Sequence, residues 1–303
     1  MDILSIKNIS KRFGEKVILS NLNLTISEPC IYGFVGKNGV GKTTTMKIIL
    51  GFEKTLSGEV SVYGEKVFYG SSRTNKYIGY LPDVPEFYDY LTPEKYLKLC
   101  GEISGLEKSF TKNKSEELLS LVGLDKENKK IRGFSRGMKQ RLGLAQALLH
   151  EPKLLICDEP TSALDPIGRQ EILTILEKAK EHTTILFSTH ILSDVEKICD
   201  KIGLLDKGLI RIEGSIDDIK KKNRTDKLAL RVLNKRDLKR TMNLLENIGG
   251  IRSLCEDAGK IMLQMSALEQ NKIFNILLNN EIPISTFEIV EPTLEDIFVD
   301  ALR

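Results

Sequence analysis

The sequence predicts an α/β fold joined to a small α+β module, on three observations. Strand-like and helix-like segments alternate over roughly the first 220 residues. The runs "CIYGFVG", "LLICDE" and "TTILFST" are apolar and continuous, as parallel strands buried on both faces should be. After a lysine-rich stretch at residues 219–227 the pattern changes to short strands and helices without a glycine-rich loop.

Taken in order, residues 3–13 and 17–26 read as strands joined by a short turn at Gly14-Glu15. That turn brings them back antiparallel, and "EVSVYG" at 59–64 extends the same subdomain. Residues 30–36 form an apolar strand that opens into "KTTTMKIILG", a helix. Residues 76–82 form a further strand. Between Thr92 and Leu124 the pattern turns helical and interrupts the strands, which predicts a helical subdomain at about 88–150. Strands at 153–160, 183–189 and 201–208 complete the first domain, residues 1–220. The stretch 219–227 reads as a solvated linker to a second domain, residues 226–303. There the strands "KLALRVL", "IRSLCED", "KIMLQM" and "ISTFEIV" alternate with helices at 235–248 and 267–280. That β-α-β-β-α-β order is the split, ferredoxin-like pattern.

Composition narrows the function classes. The 303 residues carry 45 basic and 42 acidic side chains, a net charge of +3, so no global field argues for nucleic acid. Five scattered cysteines without CxxC pairs fit reduced thiols, as expected in the cytoplasm, better than disulfides or zinc. The N-terminus lacks a signal-like apolar core. No apolar run approaches the ~20 residues that span a bilayer, so work at a membrane would need a separate spanning partner.

The stretch "GKNGVGKTT" matches the phosphate-loop pattern G-x-x-x-x-G-K-[ST] between a strand and a helix. Gly36, Gly39 and Gly41 let backbone N–H groups converge on phosphate oxygens, together with Lys37, Asn38, Val40 and Thr44. Lys42 adds a cation there, and the Thr43 hydroxyl is placed for Mg²⁺. In "KLLICDEPTSALD" a buried strand ends at Asp158, a second candidate for Mg²⁺. Glu159 follows, able to orient or deprotonate an attacking water. His190 ends the strand "TTILFSTH" and can donate to a transferring phosphate or to that water. His150 and His182 have no such context. A second anion site opens at "GFSRGMKQRL", where Ser135, Arg136 and Gly137 start a helix.

In this order the motifs resemble the nucleotide-binding domain of ATP-binding cassette (ABC) transporters over roughly residues 2–220. "GKNGVGKTT" stands as Walker A, "FSRGMKQR" as the signature, "LLICDE" as Walker B, "SALD" as the D-loop ending in Asp165, and "STH" as the switch histidine. The resemblance implies an ATPase using ATP and Mg²⁺, with Phe13 stacking on adenine. It also implies a head-to-tail homodimer in which Ser135 and Gly137 of one copy face the ATP of the other. Two departures stand out. Asp83 replaces the family's usual glutamine as a candidate near Mg²⁺, and Phe134, Arg136 and Met138 replace Leu, Gly and Gln in the signature. The ending "EIVEPTLEDIFVDALR" is similar to ABC-2 type exporter cassettes of drug, bacteriocin and antibiotic-resistance systems, whose permease is a separate chain. The expectation is a subunit peripheral on the inner face of the cell membrane, touching it only through that permease. The aromatic stretch with Phe87, Tyr88, Tyr90 and Tyr96 is the expected docking groove for a permease helix. The alternatives are a soluble, translation-associated ABC ATPase and a non-hydrolysing regulatory cassette. One phosphate loop and one signature in the chain count against the first, and Glu159 with His190 against the second.

Overall fold

A computed structural model describes residues 1–223, 227–246, 248–265 and 270–301 of the chain. They form two units, Met1–Ile216 and Asp217–Ala301.

In the first unit β1 (Leu4–Phe13) and β2 (Lys16–Ile26) pair antiparallel across the turn at Gly14, whose φ is 55°. Their inward residues, Leu4, Ile6, Leu19, Leu22 and Leu24 among them, are almost wholly buried. Each such side chain stabilises the fold by about 1.5–3 kcal/mol relative to leaving it in water. β3 (Ile31–Val35) is buried at every position and delivers the chain to α1 (Lys42–Ile49). β4 (Ser57–Val62) and the two-residue β5 (Glu65–Lys66) close an antiparallel sheet of order β2-β1-β4-β5.

β6 (Ile78–Leu81) returns to the central sheet. Three helices then follow: α2 (Pro93–Ile103), α3 (Lys108–Leu121) and α4 (Arg136–Leu148). Pro93 sits in the first turn of α2, where its missing N–H costs nothing. The Glu107 side chain caps α3 by accepting from the Ser109 and Phe110 N–H groups. The Tyr96 hydroxyl donates to Gln146 Oε1 at 2.9 Å and ties α2 to α4. β7 (Leu154–Asp158) and β8 (Thr184–Thr189) are buried throughout, with α5 (Pro166–Ala179) between them. α6 (Leu192–Ile198), β9 (Lys201–Asp206) and β10 (Leu209–Ser215) complete the unit.

The central sheet runs β10-β9-β3-β8-β7-β6, with β9, β3, β8, β7 and β6 parallel and β10 antiparallel at the edge. Parallel strands buried on both faces explain why the apolar runs are continuous rather than alternating. The C-terminal ends of β3, β6, β7 and β8 therefore open on one side of the sheet, where open α/β folds place ligands.

The expected linker at 219–227 is corrected by the structure. α7 (Ile216–Lys222) takes its first residues, and β11 (Lys227–Val232) begins at its last; 224–226 lie outside the described residues. Asp217 and Asp218 in the first turn and Lys220, Lys221 and Lys222 in the last complement the helix dipole, so the lysine run is a helix end. In the second unit follow α8 (Asp237–Glu246), β12 (Ser253–Asp257), β13 (Lys260–Gln264), α9 (Gln270–Asn279), β14 (Ile284–Ile289) and α10 (Leu294–Ala301). The first residues of the expected helix at 267–280 fall at 267–269, outside the described residues. The sheet order β12-β13-β11-β14 is wholly antiparallel. Leu228 and Leu230 pair with Leu263 and Ile261 in its buried face, against Leu245, Ile273 and Leu277 of the two helices.

Candidate functional site

The loop between β3 and α1 turns sharply because glycine permits it. Gly39 and Gly41 hold φ of 80° and 115°, the left-handed side where a side chain is strained. At Gly36 a Cβ would meet the Leu205 carbonyl oxygen at 2.7 Å and Val40 Cγ2 at 2.8 Å. The loop's three glycines are thus demanded by backbone shape and by close approach. The Gly36 N–H donates to the Thr189 carbonyl at 3.4 Å, tying the loop to the end of β8.

Beside the loop lies a cavity of about 310 Å³ lined by Ile18, Asn38, Gly39, Gly41, Lys42, Thr43, Thr44, Asp83, Glu159, Ser162 and His190. Lys42 is buried and its Nζ donates to the carbonyls of Gly36 at 2.6 Å and Lys37 at 3.2 Å. The same nitrogen stands 3.1 Å from Glu159 Oε1. That oxygen has no aligned hydrogen-bond donor, so it is a buried acceptor on the cavity wall held by charge alone. The other oxygen, Oε2, accepts from His190 Nδ1 at 2.8 Å. A carboxylate only accepts, so this contact puts the imidazole hydrogen on Nδ1. Glu159 itself adopts φ 49°, a strained backbone for a residue with a Cβ, costing about 1–3 kcal/mol. Strain of this kind at the end of a buried strand marks a residue whose aim matters more than its stability.

Asp158 lies beneath, its Oδ1 accepting from the Ser188 hydroxyl at 3.1 Å. Burial pushes its carboxyl above the usual range, opposed by hydrogen bonds from Thr43 and Ser188; Glu159 raises it further and Lys42 lowers it. A desolvated carboxylate bonded to the Thr43 hydroxyl is an all-oxygen pair, and Mg²⁺ is held by few protein oxygens plus phosphate and water. The two residues fit that ion.

Other expected residues lie elsewhere. Ser135 is the N-cap of α4 and accepts from the Met138 N–H at 3.2 Å. Beside it, an added Cβ on Gly137 would meet nothing closer than 4.0 Å. Neither lines the cavity of its own chain. Asp165 caps α5 by accepting from the Gly168 N–H at 3.2 Å. Phe13 is half exposed at the end of β1, with Lys11 Nζ 4.6 Å from its ring centroid. Lys11 is held in turn by Glu53 at 2.7 Å. Of the four aromatics, Tyr96 is buried and Phe87 packs edge-on against it at 5.1 Å, whereas Tyr88 and Tyr90 remain exposed. Half of that stretch is therefore internal packing.

The two departures from the family pattern meet each other. Arg136 Nη2 stands 3.3 Å from Asp83 Oδ1, with both side chains 47% exposed. The arginine neutralises the carboxylate that replaces an uncharged residue. The contact is solvent-screened, so a double-mutant cycle of Asp83→Asn and Arg136→Gln should read a coupling of about 0.2–1 kcal/mol from denaturation midpoints. The coupling should fade at high salt, and one that salt does not weaken would mean that the two groups do not act as a surface ion pair.

Ile18, Ser162 and Ser188 belong to the site without having been singled out in the sequence. Ile18 and Ser188 sit in ordinary strand patterns, and only Ser162, at the start of "SALD", carried a signal.

Comparisons with known proteins agree with this geometry. The ABC transporter family matches residues 19–162, and the family "ATP-binding protein DrrA1-3-like, C-terminal domain" matches residues 214–302. The chain is 38% identical over 301 residues to the bacitracin transport ATP-binding protein BcrA of Bacillus licheniformis, covering 98% of this chain and 96% of that protein. It is 41% identical over 234 residues to the ABC transporter ATP-binding protein YxlF of Bacillus subtilis (strain 168), covering 77% and 78%. Among solved structures, an ATP binding subunit of an ABC transporter aligns with a TM-score of 0.66 and 31% identity, over 73% of this chain and 92% of that one.

Proposed function

The chain belongs to the ABC transporter family as an ATP-binding, ATP-hydrolysing subunit that powers a separate permease, and we propose that two copies close around two ATP molecules to drive an ABC-2 type exporter. The observation that carries the reading is the chain of contacts Lys42–Glu159–His190 on the wall of the phosphate-loop cavity.

In this reading the backbone N–H groups of residues 36–44 bind the ATP phosphates, and Lys42 neutralises their charge. Thr43 and Asp158 would hold Mg²⁺, which would supply positive charge beside the transferring phosphate. Glu159 takes the proton of the attacking water, and His190 holds the Glu159 carboxylate in place. Phe13 stacks on adenine with the face that Lys11 leaves free. Glu159 and His190 in contact argue against a non-hydrolysing cassette.

Ser135 and Gly137 lie outside the cavity of their own chain, which supports their serving the ATP of a second copy. Moving the open-to-closed ratio from 1:99 to 99:1 takes about 5.5 kcal/mol of preferential binding. A few charge-assisted hydrogen bonds of about 1.5–3 kcal/mol each supply it. No described helix is long and apolar enough to cross a membrane, consistent with contact through the permease. The exposed Val84, Tyr88 and Tyr90 are the surface we assign to that contact. The bacitracin transport relative supports an antibiotic as cargo.

The test is Ser135→Arg. It should leave ATP binding to the single chain intact while abolishing ATP-driven pairing in light scattering and with it steady-state hydrolysis. Undiminished hydrolysis would rule out the second copy's role.

A further inference from the structure

The second unit contains a cavity of about 840 Å³, within the roughly 300–1,000 Å³ range of small-molecule sites. Arg231 at the end of β11, Lys235 and Arg236 in the following loop, and Lys239 in α8 all line it. Among the described residues Glu256 is the one carboxylate in the lining, so four cations and one anion leave an excess of three positive charges. None of the four cations makes a side-chain hydrogen bond or ion pair within the described residues. Of the acids flanking the lining, Asp237 accepts from Asn234 Nδ2 at 3.3 Å and Glu288 pairs with Lys260 at 2.6 Å, while Asp257, between Glu256 and Ala258, is outside the lining.

Folding alone does not favour this arrangement. Lys235, Arg236 and Lys239 crowd the N-terminal end of α8, where the helix dipole repels cations. Lys235 and Arg236 stand just before α8, and Lys239 and Arg240 fall within its first four residues, so like charges repel one another at this end. Opposite them the β12–β13 hairpin turns through Ala258 and Gly259, with φ of 47° and 77°, and a Cβ on Gly259 would meet nothing within 4 Å. A concave surface bounded by four cations, three of them at a helix start where Asp237 is the one acid of the first turn, and by an open backbone turn is shaped for an anion.

We propose that this cavity binds a phosphate-rich anion of the diphosphate class at a site separate from the ATP site. The three excess charges match a diphosphate, and the two arginines offer the forked geometry that phosphate oxygens accept. Such paired phosphate charge reaches the site either as a free diphosphate compound or as neighbouring phosphodiester headgroups on a membrane surface.

The probe is inorganic pyrophosphate, titrated calorimetrically into the full-length Lys42→Ala chain so that the phosphate loop contributes little. Binding should weaken with salt. It should fall by about tenfold or more on adding Arg236→Glu and Lys239→Glu, the loss expected for charge-assisted hydrogen bonds. The pair Arg236→Lys and Lys239→Arg should retain it. In the otherwise native chain, the charge-reversed pair should keep wild-type ATP hydrolysis and melting temperature, which shows it folded. Sedimentation with phosphatidylglycerol but not phosphatidylcholine vesicles, lost on charge reversal, assigns the headgroup source; pyrophosphate binding without sedimentation assigns the free compound. Pyrophosphate affinity unchanged by charge reversal, or binding of neither probe, overturns the site.

Discussion

Replacing Glu159 by Gln should lower steady-state ATP hydrolysis by about 10²–10⁴-fold, the usual contribution of a positioned general base. The amide is nearly isosteric, so the phosphate loop and ATP binding should persist. Two features make the residue this sensitive. Its Oε1 is a buried acceptor without an aligned donor, and its Oε2 is oriented by His190. Glutamine cannot take a proton from water, and it loses the charge that holds Lys42 at 3.1 Å. Turnover under saturating ATP, with nucleotide binding followed separately, checks the prediction. Turnover within a few-fold of wild type would remove Glu159 from the role of base.

Lys42→Ala should weaken ATP binding by about 10–100-fold, equivalent to losing one hydrogen bond to a charged group. Hydrolysis should fall further still. Lys42 is buried and bridges two loop carbonyls and Glu159, so its removal also leaves the Glu159 carboxylate without its cation. An uncompensated buried charge costs several kcal/mol, and the chain should relieve it by hydrating the cavity. Fluorescent-nucleotide titration measures the affinity, and denaturant unfolding measures the stability. An ATP affinity equal to wild type would mean that the loop backbone alone holds the phosphates.

Much of this site was legible because its chemistry needs residue types that a plain fold does not. Glycines at 36, 39 and 41 answer to backbone shape, and Thr43 and Asp158 sit at the ends of their elements, so spacing alone revealed them. The β-α-β-β-α-β order of the second unit was equally readable, since short strand-like runs are interspersed with amphipathic helices. α7 was not, because seven residues rich in lysine resemble a solvated linker until the dipole pattern is noticed. The aromatic stretch misled in part for a similar reason. Spacing does not tell Tyr96, buried against α4, from Tyr88, which faces water.

By itself the sequence determined the α/β class, the phosphate loop and the identities of the base, cation and metal-binding candidates. These are local properties: each follows from a few neighbouring residues and the strand or helix they end. Only the tertiary structure decided which of them meet. It joined Glu159 to Lys42 and His190, paired Asp83 with Arg136, and left Ser135 outside the cavity lining of its own chain. Those pairings span up to 117 residues between Lys42 and Glu159, counted as 159 less 42. Such distances are closed by strand order in a parallel sheet, which no short window of sequence contains.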